Sequence, residues 1–449
     1  MAKREIDEKT PLMILAGPMF GELILNILVN NVDTMMLSHH SQNAVGAVGN
    51  ANQILTFLML TFNIIAVATS VVVAQYLGAK QYDKMNTIYT LAIVVNFFVG
   101  IVFSGAFVLG KNAILTAIDV PQIMRADACT YINIVGGTMV FLACYNVMLQ
   151  ILRCNGYANV GMIISILINV INVVGNYLFL YGPLKFLNLG VAGVAISTAV
   201  ARIAALTVAI TFFYIKKIGR FGIRYIRPFP GKMLLNMIKV GLPSAGENMS
   251  YNLYQIFLLR LINGMGPDAV NAKVYSASLI SLSMVFSNSA AMATQIITGH
   301  LVGAGKEDQA YKRVFATLRV SLPITIGLST LNWALSPYTV RFFTDNTTVI
   351  KYASMIMLVD IVIEIGRCLN MTFISSLKAA GDYLFPLFVG IGMMWGIGAT
   401  VGYLMGVGLG IGVAGVFMGT ASDEFLRGIV SLFRWKMQKW RGKAIVRAD

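Results

Sequence analysis

The sequence predicts an all-α integral membrane protein of about twelve transmembrane helices, in two six-helix lobes related by a pseudo-twofold axis along the membrane normal. Three observations predict it. Apolar runs long enough to cross a bilayer recur from end to end, basic residues segregate to alternate loops, and the second half repeats the first. Of the 449 residues, 57% are apolar and only 12% are charged, with mean hydropathy +0.74; a soluble globular chain carries about 25% charged residues.

A helix rises about 1.5 Å per residue, so about 20 apolar residues cover about 30 Å of hydrocarbon. Reading such runs between polar breaks gives spans at 11–37, 52–76, 88–110, 131–152, 161–181, 189–215, 235–262, 274–302, 314–336, 353–377, 385–405 and 411–433. Ahead of the first span, Lys3, Arg4 and Lys9 cancel Glu5, Asp7 and Glu8, and no small-residue cleavage signature follows. That span is read as uncleaved, serving as its own insertion signal. The expected organisation is an N-terminal lobe over 1–215, a basic connector over 216–234, and a C-terminal lobe with a basic tail over 235–449.

The net charge of +15 has a meaning set by its distribution. With the N-terminus inside, inside segments hold 23 Lys and Arg and outside loops hold six. That bias follows the positive-inside rule and places both termini in the cytoplasm of a bacterial inner membrane. The stretch KKIGRFGIRYIRPFPGK is then a connector lying against anionic headgroups, so membrane lipids are expected partners and nucleic acid is not.

Shifted by 225 residues, PMFGE at 18–22 falls on PSAGE at 243–247, YLGAKQYDK at 76–84 on LVGAGKEDQ at 301–309, and LRCNG at 152–156 on LKAAG at 377–381. A three-residue deletion moves the shift to 222, where GVAGV at 190–194 meets GVAGV at 412–416. Polar and glycine positions in fixed register identify a duplication. Six spans per half is an even number, so the halves form a parallel repeat. Two like bundles that rock against one another alternate which side is open, which is transporter architecture.

An ionised carboxylate in hydrocarbon costs at least about 2.5 kcal/mol, so intramembrane acids are functional candidates. Glu22 and Asp33 lie in the first span; eleven residues at about 100° each bring them within about 20° of one face. Asp33 has Leu258 as its repeat mate, so symmetry does not account for it, although hydration near the helix end would. Glu247 opens the seventh span the same way, with Tyr251 one turn on. Asp360, Glu364 and Arg367 stack at i, i+4 and i+7; Arg367 neutralises one acid and leaves the other to take a proton or metal cation, or else the three form a self-satisfied cluster. Asn169, Asn172 and Asn176 form a stripe that serves either a site or helix–helix packing. Pro18 and Pro243 free carbonyls that can bend their helices or meet a ligand.

The four cysteines form no CxxC pair, the three histidines no metal spacing, and no nucleophile–base pair appears. No cofactor is expected and an enzyme is not the reading. Met, Phe and Tyr lining a cleft would suit amphiphilic organic cations.

The order Pro-x-x-x-Glu, NNVDTMML, AVGAV and VVVAQYLGAK, then GLPSAGEN, HLVGAGKED, EIGRCLN with LKAAGDYLFP, and finally SDEFLRG, resembles the multidrug and toxic compound extrusion (MATE) family over nearly the whole chain. The resemblance implies twelve helices in two lobes, cytoplasmic termini, and efflux of drug-like small molecules, cationic or amphiphilic, by antiport against H⁺ or Na⁺. It implies coupling roles for Asp33, with Asn172 near it, and for Asp360 and Glu364. Asn176 stands where some proton-coupled members have Asp, and the family's seventh-helix Glu lies deeper than Glu247. Three acids, Glu247, Asp360 and Glu364, are expected to converge as a sodium site, since Na⁺ wants several hard oxygen ligands while a proton needs one carboxyl. The balance of ligands leans toward sodium, and a monomer is expected to suffice. The alternative is a flippase of lipid-linked oligosaccharide or lipid, which would present cationic side chains to pyrophosphate; besides Arg367 and Arg427, Arg202, Arg260 and Arg319 are the only basic candidates.

Overall fold

The computed structural model describes residues 6–117 and 120–446, without the side chains of some residues within its first two helices, Asp33 among them. Its described residues form helices joined by turns and short connectors, with no strand among them. The N-terminal half runs α1 (Leu12–His40), α2 (Gln42–Gly78), α3 (Met85–Ala117), α4 (Gln122–Tyr131) continuing through a π turn into α5 (Met139–Cys154), α6 (Ala158–Leu180) and α7 (Val191–Ile215). The C-terminal half runs α8 (Gly231–Asn263), α9 (Pro267–Gly303), α10 (Glu307–Thr339), α11 (Thr347–Ala379), α12 (Leu384–Met393) with α13 (Thr400–Tyr403), and α14 (Val413–Lys436).

Seven helical stretches are long and apolar enough to cross a membrane, and the α4–α5 pair, bent by 43°, makes an eighth. Four further helices complete the twelve: α2, α8, α11 and α14. Of these, α11 and α14 carry charge, including Asp360, Glu364, Arg367, Asp423, Glu424 and Arg427, and α8 carries Glu247 among Asn, Ser, Tyr and Gln residues. The two spans expected at 385–405 and 411–433 differ. The first contains two π turns, Met394–Ala399 and Leu404–Gly408, which widen the helix where glycine leaves room. The second is the regular helix α14.

The duplication is visible in the turns. Lys80 and Gly305, Gly156 and Gly381, and Gly190 and Gly412 are repeat mates, and all six have positive φ. Positive φ follows a helix end at the first two pairs and sets the entry to α7 and α14 at the third, and glycine adopts it without a Cβ penalty. Other boundaries use local signals: Asn346 caps α11 by accepting from the Thr348 and Val349 amides at 2.9 and 3.4 Å, and Pro267 opens α9.

The chain divides into two compact units. The first comprises Gly21–Val73 and Gln81–Gly241; the second comprises Ile6–Phe20, Ala74–Lys80 and the chain from Leu242 onward. In the first, α6 packs on α7, and α5 on α3 and α7. Its apolar core gathers Leu55, Phe62, Tyr131, Met139 and Val194. In the second, α11 is central, against α9, α10 and α14, with Tyr254, Leu258, Met357 and Val416 in its core. The end of α2 crosses the end of α9 backbone to backbone within this unit. A Cβ at Gly78 would run into the His300 carbonyl, and one at Gly303 into that of Gln75. Gln75 and His300, and Gly78 and Gly303, are themselves repeat mates, so the crossing is self-complementary.

Candidate functional site: a buried ionic cluster on α11 and α14

In the first unit, α1 and α5 place Glu22 against Arg153, oxygen to nitrogen 2.7 Å apart and both buried. Gly161 of α6 makes the approach possible, because a Cβ there would stand 2.7 Å from the carboxylate. In the second unit, Glu247 of α8 meets Lys378 of α11, also at 2.7 Å. Glu22 and Glu247 are repeat mates, as are Arg153 and Lys378, so one ion pair occurs twice. Pro18 and Pro243 sit one turn before these acids, inside unbroken helices. Asn169, Asn172 and Asn176 are buried along one face of α6. Neither the Asn169 side-chain nitrogen nor the Asn172 side-chain oxygen has a hydrogen-bond partner among the described atoms. Asp33 belongs to α1, and its side chain lies outside the described residues.

The densest charge lies between α11 and α14. Gly366 carries no side chain where a Cβ would stand 2.5 Å from the Phe425 amide, so the helices approach closely. Arg367 then donates to Glu364 on its own helix and faces Glu424 across the gap at 3.9 Å. Arg427 pairs with Asp423 at 2.6 Å and Glu424 at 3.1 Å, and Asn370 donates to Glu424 at 2.8 Å. The Ser287 hydroxyl of α9 donates to Glu364 at 3.4 Å and lies 3.2 Å from Thr325 of α10. Tyr251 of α8 stands within electrostatic range of Arg367, Arg427, Asp423 and Glu424.

Four carboxylates therefore share two guanidinium groups. Glu364, Asp423 and Glu424 each have a partner. Asp360 is 3% exposed and lies within electrostatic range of Glu364 and Arg367. It makes no hydrogen bond or ion pair with any other described residue. A buried carboxylate without a donor is costly as an anion, so this oxygen pair favours taking up a cation or a proton.

The structure does not bring Glu247, Asp360 and Glu364 together. Lys378 holds Glu247 and Arg367 holds Glu364, and among the described residues no group of three His, Cys, Asp or Glu could hold a metal ion. An ammonium or guanidinium at bonding distance outcompetes a weakly bound monovalent ion for the same oxygen. Sequence reasoning also missed Asp423, Glu424 and Arg427 as members of the cluster. Their signal was present: SDEFLRG places Glu424 three residues before Arg427, the same spacing as Glu364 before Arg367.

Comparison with known proteins gives a consistent picture. The family model described as MatE matches twice, over residues 18–178 and 243–404, once in each half. An uncharacterized transporter of Bacillus subtilis, YisQ, is 33% identical over 443 residues, spanning 99% of this chain and 97% of that protein. A probable multidrug resistance protein of Thermotoga maritima, NorM, is 22% identical over 451 residues, spanning 99% and 96%. Among solved structures, a MATE protein in the bent conformation and an outward-facing multidrug resistance MATE family transporter each superpose with TM-score 0.88 at 18% identity. The first match covers 96% of this chain and 95% of its counterpart, the second 96% of both.

Proposed function

The chain belongs to the MatE family, and from that premise we propose that it exports small organic molecules, cationic or amphiphilic, by antiport against an inward proton loaded at Asp360. One observation carries the reading: Asp360 is buried beside an ionic cluster in which it alone among the acids has no hydrogen-bond or ion-pair partner among the described residues. When Asp360 is charged, the site holds two more carboxylates than guanidinium groups, which favours a cationic substrate; when it is neutral, that pull weakens. Proton binding and cargo binding are thereby opposed, as antiport requires. Sodium is the weaker assignment, because the oxygens it would gather are bonded to Lys378 and Arg367. The proposal includes six-helix lobes over 1–215 and 235–449, joined by a cytoplasmic connector, that move against each other to alternate access. The relatives named for multidrug resistance support the substrate class.

Proteoliposomes given a pH gradient in sodium-free buffer should accumulate a cationic dye, and Asp360→Asn should abolish that accumulation while leaving expression and melting temperature near wild type. The amide keeps the shape and cannot change charge. Transport driven fully by a sodium gradient at equal pH would overturn the choice of ion, and unimpaired efflux by Asp360→Asn would overturn the site. Asp33 is the second proposed carrier, and Asp33→Asn should lower efflux independently of Asp360.

A further inference from the structure

A cavity of about 660 Å³ opens in the first unit where the start of α3 meets the segment after α7. Its wall carries Lys217, Arg220 and Arg224 together with Tyr82, Tyr214 and Asn86, and no acidic residue lines it. The backbone behind these side chains is fixed. Asn86 accepts from the Arg220 amide at 2.8 Å, and the Gly222 amide donates to Thr90 at 3.4 Å. Phe221 stacks on Phe213 with ring centroids 4.5 Å apart. Gly219 sits where a Cβ would come 2.8 Å from Asn86 and 3.0 Å from Tyr89. Lys217 and Arg220 have no ion-pair partner among the described residues, while Arg224 donates to Tyr225 at 2.8 Å. The same stretch exposes Ile215, Ile223 and Phe229 to about two-thirds of their surface. Large apolar side chains between unpaired cations mark a surface at the boundary of hydrocarbon and headgroups.

We infer that this cavity is a binding site for the phosphate-bearing headgroup of an anionic phospholipid. Lys and Arg supply charge-assisted donors to phosphate oxygens, and the exposed Ile and Phe side chains meet the first methylenes of the acyl chains. The charge bias of the loops puts the cavity on the leaflet richest in anionic lipid. The inference is independent of the proposed transport reaction, since it rests on a different unit and different residues. It goes beyond a generally basic connector by requiring a discrete site with a definite stoichiometry.

The purified full chain, incubated with equal amounts of phosphatidylcholine and phosphatidylglycerol, should retain one phosphatidylglycerol preferentially when read by native mass spectrometry. The triple substitution Lys217→Gln, Arg220→Gln, Arg224→Gln should weaken that retention about a hundredfold, each neighbouring cation contributing about a factor of five. A control of equal charge change outside the cavity, Arg227→Gln, Lys232→Gln, Lys239→Gln, should retain the lipid. Melting temperatures measured in phosphatidylcholine alone establish that both variants fold. Equal losses in the two triple variants, or equal retention of both lipids by wild type, would overturn the site. Displacement of phosphatidylglycerol by millimolar inorganic phosphate would reassign the cavity to a soluble phosphorylated molecule and overturn the lipid.

Discussion

The two halves of this chain agree in one buried ion pair and disagree in the next layer of charge. Glu22 with Arg153 and Glu247 with Lys378 are the same contact at repeat-mate positions, each at 2.7 Å. The cluster on α11 and α14 has no such twin. The mates of Asp360, Glu364 and Arg367 are Val135, Met139 and Leu142, and those of Asp423, Glu424 and Arg427 are Ala201, Arg202 and Ala205. Where the C-terminal half holds Glu424, the N-terminal half holds Arg202, whose guanidinium donates to the Val135 carbonyl at 2.9 Å. Val135 in turn is the mate of Asp360. The same place in the fold thus carries a lone cation in one half and an excess of anions in the other. A contact kept in both copies is explained by the fold that both copies share. A charge kept in one copy needs a separate reason, and the cluster is where function has diverged from frame.

The comparison breaks most sharply at Arg367. Replacing it with Met leaves Glu364 buried without its cation and removes one partner of Glu424. The expected loss is about 3–5 kcal/mol of stability, the usual cost of stripping one member from a buried pair. A fall in melting temperature with loss of folded protein in detergent would register it. A stability near wild type would mean that Arg427 and Asn370 alone can hold the acids.

The duplicated pairs come next. Arg153→Met and Lys378→Met should both destabilise, the first by about 3 kcal/mol and the second by less, because partial hydration relieves an uncompensated charge. The Arg153 and Glu22 side chains are 4% and 6% exposed, against 12% for each member of the other pair. The double reversal Glu247→Lys with Lys378→Glu should regain most of what Lys378→Met loses. Failure of that reversal, with efflux lost and folding intact, would return Glu247 to the coupling site.

Much of this was legible in the sequence, for identifiable reasons. The span count held because each hydrophobic run is a local property, and the register of the repeat held because glycines and charges mark it. The same register aligned Arg153 with Lys378 and Glu22 with Glu247, but a shift between copies says nothing about distance within one. The pairing needed α1 packed on α5, a contact between residues 131 positions apart. Glu247 was accordingly grouped with Asp360 and Glu364 on charge alone, and the nearer cation went unnoticed. The π turns in the α12–α13 stretch were not legible, since the glycines that border them in the sequence serve bending and close packing equally.

The smallest expected effect concerns the N-terminal counterpart of the cluster. Arg202 is buried, with one hydrogen bond to the Val135 carbonyl and one contact, 3.6 Å, to the Met139 sulfur. Val135 lies in the π turn Ile132–Gly136 that joins α4 to α5, where the helix is bent and its carbonyls are loosened from the usual ladder. Arg202→Met removes a desolvated cation, which is favourable, and one charge-assisted bond to a carbonyl, which is not. Those terms oppose each other, so the net change should be about 1 kcal/mol or less. That is well below the loss at Arg367, where removal strands a carboxylate instead of a carbonyl. Melting curves of the two variants side by side measure the difference directly. If Arg202→Met proved as damaging as Arg367→Met, the lone cation would be holding an anion of its own, and the two halves would be more alike in charge than their described residues show.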